Sequence, residues 1–169
     1  RDALISCGAV RFGDFTLASG AKSSYYVDIK RASTDPKVLR LMGEGLAQKV
    51  GGAQRIAGME LGAVPLAAAA ALASGVPFLM VRKKAKDHGT ASRIEGPYAA
   101  GEEVVVVEDV TTSGGSSLEA VRVLREAGLR VTKVVTVVDR QQGAEKAFAD
   151  AGVALESLVT AKELLEARA

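Results

Sequence analysis

Two runs of β-branched residues constrain this chain more than any other feature: Val-Val-Val-Val at 104–107 and Val-Val-Thr-Val-Val at 134–138. A strand with one face in water alternates apolar and polar residues, whereas a strand covered on both faces reads as a continuous apolar run. Weaker strand candidates lie at 55–58, 78–82 and 153–157, with helical stretches at 36–50, 65–73, 116–127 and 144–151 and a terminal helix over 160–167. Asp35 before Pro36 supplies a cap and a proline at the first helical position, and Gly128 marks a helix stop. The alternation of strand and helix predicts a parallel α/β sheet with right-handed crossovers. Residues 1–30 read differently, as a small appendage with short strands at 15–17 and 25–29 around Ser19-Gly20; residues 31–169 form the α/β core. At 169 residues the whole chain suits one domain.

Composition removes several function classes. Hydrophobic residues are 48% and charged residues 25%, a globular balance that argues against disorder. The net charge of +2 leaves no general footprint for nucleic acid or an anionic membrane, so electrostatic work falls to local clusters. One cysteine, Cys7, cannot make an internal disulfide, and with one histidine it makes a structural zinc site improbable. These features fit a reducing, cytoplasmic setting. The first ten residues do not read as a signal peptide, and the start at Arg1 suggests that a few residues precede it. The stretch 63–81 is nearly uncharged, but Pro65, Ser74, Gly75 and Pro77 and its alanine content favour a short helix, a turn and a buried strand over a membrane span.

Three segments carry chemistry. The first follows the strand at 104–107: Glu108, Asp109, Val110, Thr111, Thr112, Ser113, Gly114, Gly115 and Ser116. Ligands of open α/β sheets bind at the carboxyl ends of strands, where loop amides and a helix N-terminus hold anions. The glycines let the backbone close on a phosphate and the hydroxyls add donors. This is no Walker A loop, because Gly-Lys-Ser/Thr is missing. The two carboxylates would repel a phosphate and suit sugar hydroxyls, so the segment describes a ribose 5-phosphate site. An ordinary strand-to-helix turn with capping hydroxyls is the plain alternative.

The second segment, Arg82-Lys83-Lys84-Ala85-Lys86-Asp87-His88-Gly89, holds five potential cations within seven residues. Together with the polar stretch to Gly96 it suits a mobile loop closing on a polyanion, where cations stabilise charge on a leaving phosphate group. A solvated basic loop and a nucleic-acid patch are the alternatives; the absence of interleaved aromatics weakens the latter. The third segment, Asp139-Arg140-Gln141, follows the strand at 134–138 and places a two-pronged Arg donor beside the first. An Arg paired with a local carboxylate is equally compatible with that spacing.

Together the segments resemble the orotate phosphoribosyltransferases, a type I phosphoribosyltransferase family. Residues 108–116 resemble its phosphoribosyl-diphosphate signature, and Arg82-Lys83 through Lys86-Asp87-His88-Gly89 its catalytic loop. Phe15-Thr16-Leu17-Ala18-Ser19-Gly20 with Ser23, Tyr25 and Tyr26 resembles the N-terminal hood over the base, and Glu60-Leu61-Gly62-Ala63-Val64-Pro65 the loop that approaches pyrophosphate. The likeness spans about residues 10–145. It implies a doubly wound, mostly parallel sheet with a small hood. It also implies a magnesium-dependent enzyme that joins orotate to 5-phospho-α-D-ribose 1-diphosphate, giving orotidine 5′-monophosphate and pyrophosphate in pyrimidine (UMP) biosynthesis. Arg82, Lys83, Lys86 and His88 would neutralise the leaving pyrophosphate. Glu108 and Asp109 would hold the ribose hydroxyls, Val110 through Ser116 would cradle the phosphoribosyl group, and Thr112, Arg140, Tyr25, Tyr26 and Lys22 would meet orotate. Magnesium would be held mainly through substrate and water, with no direct protein ligand. The resemblance further implies a cytoplasmic homodimer whose basic loop is shared between subunits; the charge balance leads us to expect neither nucleic acid nor membrane as a partner, and the end at Ala169 no fused decarboxylase barrel.

Two motifs depart from many bacterial members: Ala18 stands where they carry Lys, with Lys22 the candidate replacement, and Glu60-Leu61 stands where they carry Tyr-Lys. Two rival readings are a ligand-sensing regulator that keeps the phosphate loop without catalysis, and a purine or uracil transferase of the same fold. The intact Lys-Lys-x-Lys-x-His-Gly stretch disfavours both.

Overall fold

A computed structural model describes residues 1–16, 20, 22–85 and 92–167. Chain order is α1 (Asp2–Ser6), β1 (Val10–Thr16), β2 (Lys22–Val27), α2 (Ile29–Ser33), α3 (Pro36–Val50), β3 (Arg55–Met59), α4 (Ala63–Ser74), β4 (Phe78–Val81), β5 (Ile94–Glu95), β6 (Glu103–Thr111), α5 (Gly115–Glu126), β7 (Arg130–Asp139), α6 (Ala144–Asp150), β8 (Ala154–Thr160) and α7 (Ala161–Glu166).

The main sheet has the order β5-β4-β3-β6-β7-β8, parallel except for β5, which pairs antiparallel with β4. The valine runs sit in its centre and behave as their sequence demands. Val104 and Val106 face one core layer with Ala120, Leu124 and Phe148 from α5 and α6. Val105 and Val107 face the opposite layer with Leu46, Leu66 and Ala70 from α3 and α4. All four valines are at most 1% exposed, and each such side chain contributes roughly 1.5 kcal/mol or more by leaving water. Two apolar layers on one sheet are the physical content of a doubly wound fold. Among the described residues no helix is long and apolar enough to cross a membrane; the alanine-rich stretch instead forms α4, whose Ala69 packs so close to α3 that a Cβ on Gly43 would lie 2.7 Å from its own.

The parallel strands, taken along the sheet, run second, first, third, fourth, fifth. The chain reverses direction between β3 and β6, and the crevice at their carboxyl ends is where doubly wound sheets bind ligands. The loop 60–62 leads from β3 into α4, and the loop 112–114 leads from β6 into α5.

Several boundaries differ from the sequence expectation. β1 begins at Val10 and not at Phe15, because a register shift between Phe12 and Phe15 breaks the alternation. β2 ends at Val27; Asp28 caps α2, so Ile29 opens a helix. β6 continues through Thr111 and β7 through Asp139, so the acidic pair and Asp139 lie in strands. The expectation of a mobile loop reaching Gly96 fails at its far end: Ile94 and Glu95 form β5 on Val81 and Met80. Lys86, Asp87, His88 and Gly89 lie outside the described residues, as do Leu17, Ala18 and Ser19.

Candidate active site

The loop that follows β6 is shaped by backbone. α5 opens at Gly114, whose φ of +85° is left-handed and whose side-chain position is blocked: a Cβ would lie 2.9 Å from Phe148. Only glycine meets both demands. Among the described residues no side chain caps this helix, and first-turn amides have no intrahelical partner and lie at the positive end of the helix dipole. A Cβ on Gly115 would meet nothing within 4 Å, which leaves room above those amides. A cleft of about 50 Å³ is lined here by Glu108, Val110, Thr111, Thr112 and residues 114–117. Thr112, Ser113 and Ser116 are exposed. Thr111 is buried, and its Oγ1 has no hydrogen-bond partner among the described residues. Such an orphaned hydroxyl is costly unless a ligand or water meets it. Val110 packs its side chain on the core and donates its amide to Asp109 Oδ1 at 2.7 Å.

The two carboxylates differ. Glu108 is buried at 6% exposure, accepts from Ser117 Oγ at 2.8 Å and from the Asp109 amide at 3.1 Å. Burial pushes its carboxyl up to about 7, with the neighbouring Asp109 charge adding to the rise. The Glu108 side chain braces the strand to the first turn of α5 and lines the same cleft. Asp109 is the half-buried member. Its Oδ2 abuts the β3–α4 loop, where it would clash with a Cβ on Gly62. Gly62 thus lets the two loops of the crevice close on each other.

The described root of the basic segment is anchored twice. The Arg82 amide donates to the Arg93 carbonyl at 2.7 Å, and Arg93 Nε donates to the Arg82 carbonyl at 2.9 Å. Arg93 also pairs with Glu119 of α5. The Arg82 guanidinium lies 3.8 Å from Glu95, and its Nε has no hydrogen-bond partner among the described residues. Lys83 and Lys84 are exposed, and the Lys83 amide donates to Glu60 Oε1 at 2.7 Å.

A second cluster at the crevice is assembled by side chains from distant segments. Arg140 Nε donates to the Tyr25 hydroxyl at 3.3 Å, an Arg140 terminal nitrogen donates to Ser23 Oγ at 3.4 Å, and the guanidinium lies 4.9 Å from the Tyr25 ring centre. The Arg140 amide donates to the Thr111 carbonyl at 2.9 Å, which ties this cluster to the loop after β6. After Arg140 the backbone turns through Gln141 at φ +55°. Its amide is held by Asp139 Oδ1 and its side-chain oxygen by the Lys162 amide. Ser23, part of the hood motif, joins this site although it had no assigned role. Lys22 and Tyr26 do not join it. Strand alternation puts them on the outer face of the hairpin, Lys22 on Thr16 Oγ1 at 2.8 Å and Tyr26 against Phe15 and Arg11.

A doubly wound sheet with a hydroxyl- and glycine-rich loop at its switch point and an acidic pair before it defines the type I phosphoribosyltransferase class, and the family model for the phosphoribosyl transferase domain matches residues 36–160. An orotate phosphoribosyltransferase of Methanosarcina acetivorans is 52% identical over 166 residues, covering 97% of this chain and 89% of that protein. The chain belongs to the orotate phosphoribosyltransferase family. Among solved structures, Mycobacterium tuberculosis orotate phosphoribosyltransferase in complex with 5-phospho-α-D-ribosyl 1-diphosphate is 33% identical with a TM-score of 0.80, over 96% of this chain and 95% of that one. Leishmania donovani UMP synthase is 36% identical with a TM-score of 0.86, covering 98% of this chain, which spans 36% of that longer one.

Proposed function

We propose that this chain transfers the phosphoribosyl group of 5-phospho-α-D-ribose 1-diphosphate to N1 of orotate, forming the N1–C1′ bond as the C1–oxygen bond to pyrophosphate breaks. The single observation that carries this is the Arg140–Tyr25–Ser23 cluster joined through the Thr111 carbonyl to an uncapped, glycine-lined helix start. A planar base carrying a carboxylate fits a guanidinium beside an aromatic ring, and a phosphate fits the free amides of α5.

On this reading the amides and hydroxyls of residues 111–116 hold the 5′-phosphate, and Asp109 accepts hydrogen bonds from the ribose hydroxyls. Positive charge developing on the ribose needs no enzyme nucleophile, since pyrophosphate is already a good leaving group. Arg82, Lys83, Lys86 and His88 are assigned to neutralising it. Magnesium, when bound, screens the diphosphate charge. Magnesium usually keeps several waters and binds through substrate phosphates, so on this reading the diphosphate oxygens and water hold it.

We extend the reading to a cytoplasmic homodimer whose basic segment serves the partner's site. Leu61 at 74% and Leu72 at 90% exposure supply apolar surface for such a contact. Mixing Lys86→Ala with Asp109→Asn under subunit exchange tests it: about half the dimers become hybrids with one intact site, so about a quarter of wild-type activity returns. No recovery after proven exchange places Lys86 in its own subunit's site.

The activity itself is tested by the fall in orotate absorbance with the diphosphate sugar and magnesium, set against adenine, hypoxanthine and uracil. Turnover of orotate alone is the expected result; turnover of another base overturns the base assignment, and binding of the sugar without turnover favours a sensing role.

A further inference from the structure

Glu60 stands at the carboxyl end of β3, beside the crevice, and the reading above gives it no task. Its amide donates to the Val81 carbonyl at 2.8 Å, extending the β3–β4 ladder one residue past the Met59–Val81 pair. Its carboxylate then reaches across the end of β4 and accepts the Lys83 amide at 2.7 Å. Two bonds from one residue thus hold the chain on either side of Arg82, where it leaves the sheet. Two residues on, Gly62 lies against the Asp109 carboxylate. One short loop therefore touches Asp109 at one end and the main chain of Lys83 at the other.

We propose that Glu60 is a positioning residue: it fixes the root of the basic segment to the loop facing Asp109, so that Lys83 is presented to the diphosphate side of the crevice. This rests on the transferase reading. The carboxylate accepts a charge-assisted hydrogen bond from the Lys83 amide, stronger than a neutral one, which directs it to the main chain of the basic segment. Fixing the root also lowers the entropy lost when the cations meet the leaving group. Arg93, held by Glu119, fixes the same root from the α5 side, so the two phosphate-facing loops share one anchored segment.

The test combines amide hydrogen exchange at Lys83 with steady-state kinetics on the full chain. In Glu60→Ala the Lys83 amide exchanges about tenfold faster and kcat falls about tenfold, the effect of losing one charge-assisted bond, while the orotate KM stays unchanged. Glu60→Gln keeps an acceptor oxygen at the same reach and restores most of both. Glu60→Asp keeps the charge, loses the reach and behaves like the alanine variant, which keeps the proposal testable where Glu60→Ala does not fold. A wild-type kcat in Glu60→Ala and Glu60→Asp overturns the proposal. So does a fall in kcat with unchanged Lys83 exchange, or a glutamine variant as impaired as alanine. Wild-type protein that exchanges as described yet does not turn over orotate contradicts the transferase reading and leaves the Glu60–Lys83 contact intact, so the two failures are distinct.

Discussion

The two ends of the crevice are built by different means. At the phosphate end, backbone does the work: the end of β6, the left-handed Gly114, the open space at Gly115 and the free amides of α5 follow one another within a few residues. At the base end, side chains do it: Ser23 and Tyr25 come from the N-terminal hairpin and Arg140 from β7's end, 117 and 115 positions apart. A backbone site is rigid because the fold already fixes it. A side-chain site held by contacts of 3.3–3.4 Å across two segments can be retuned by single substitutions. On the proposed reading, the phosphate end is tied to the fold's stability, while the base end sets which acceptor the scaffold serves.

The largest expected effect strikes the backbone end. Gly114→Ala forces a side chain into left-handed backbone and against Phe148, and should cost about 3 kcal/mol of stability, read by denaturant melts, while raising the KM for the diphosphate sugar. A variant as stable as wild type would show that the turn is plastic.

Next comes Glu108. Its carboxyl titrates near 7, above the ordinary 4.5, so the folded protein holds a proton that the unfolded chain has released between those values. Stability from this group is therefore present below the unfolded value, lost as pH rises towards 7, and flat above. Glu108→Gln carries no such term. Between pH 5 and pH 8 it should gain on wild type by on the order of 2–3 kcal/mol in thermal or denaturant melts; an equal pH response would place Glu108 ionised and solvated.

Asp109→Asn keeps shape and loses charge. Catalytic efficiency should fall by tenfold or more at an unchanged melting temperature, since charge-assisted bonds are worth about 1.5–3 kcal/mol. Normal turnover would remove Asp109 from the ribose. The smallest change is Tyr25→Phe, which deletes one long hydrogen bond to Arg140 and should raise the orotate KM only about two- to fivefold, with the ring contact retained.

The sequence was legible where local chemistry suffices. The valine runs named a sheet covered on both faces, and Asp35-Pro36 located the start of α3, where Asp35 Oδ1 accepts the Lys37 and Val38 amides. The glycine-bearing turn between β6 and α5 was readable for the same reason. Elements held by tertiary contact were not: α1 and α2 have five residues each and β5 has two, too few for a period. Tyr25 and Tyr26 are adjacent in a motif, yet the strand pleat sends them to opposite faces once the register is fixed, and the shift between Phe12 and Phe15 hides that register. The inward turn of Glu108 depends on Ser117, nine residues on, and the Glu60–Lys83 bond spans 23 positions. No local pattern records either.

The division between the two ends is tested most directly by Arg140→Ala in steady-state kinetics with each substrate varied in turn. The account predicts an orotate KM raised about tenfold or more, with the KM for the diphosphate sugar within about twofold of wild type. A variant in which the sugar KM rises and the orotate KM does not would contradict it, and would move Arg140 to the phosphate end of the crevice.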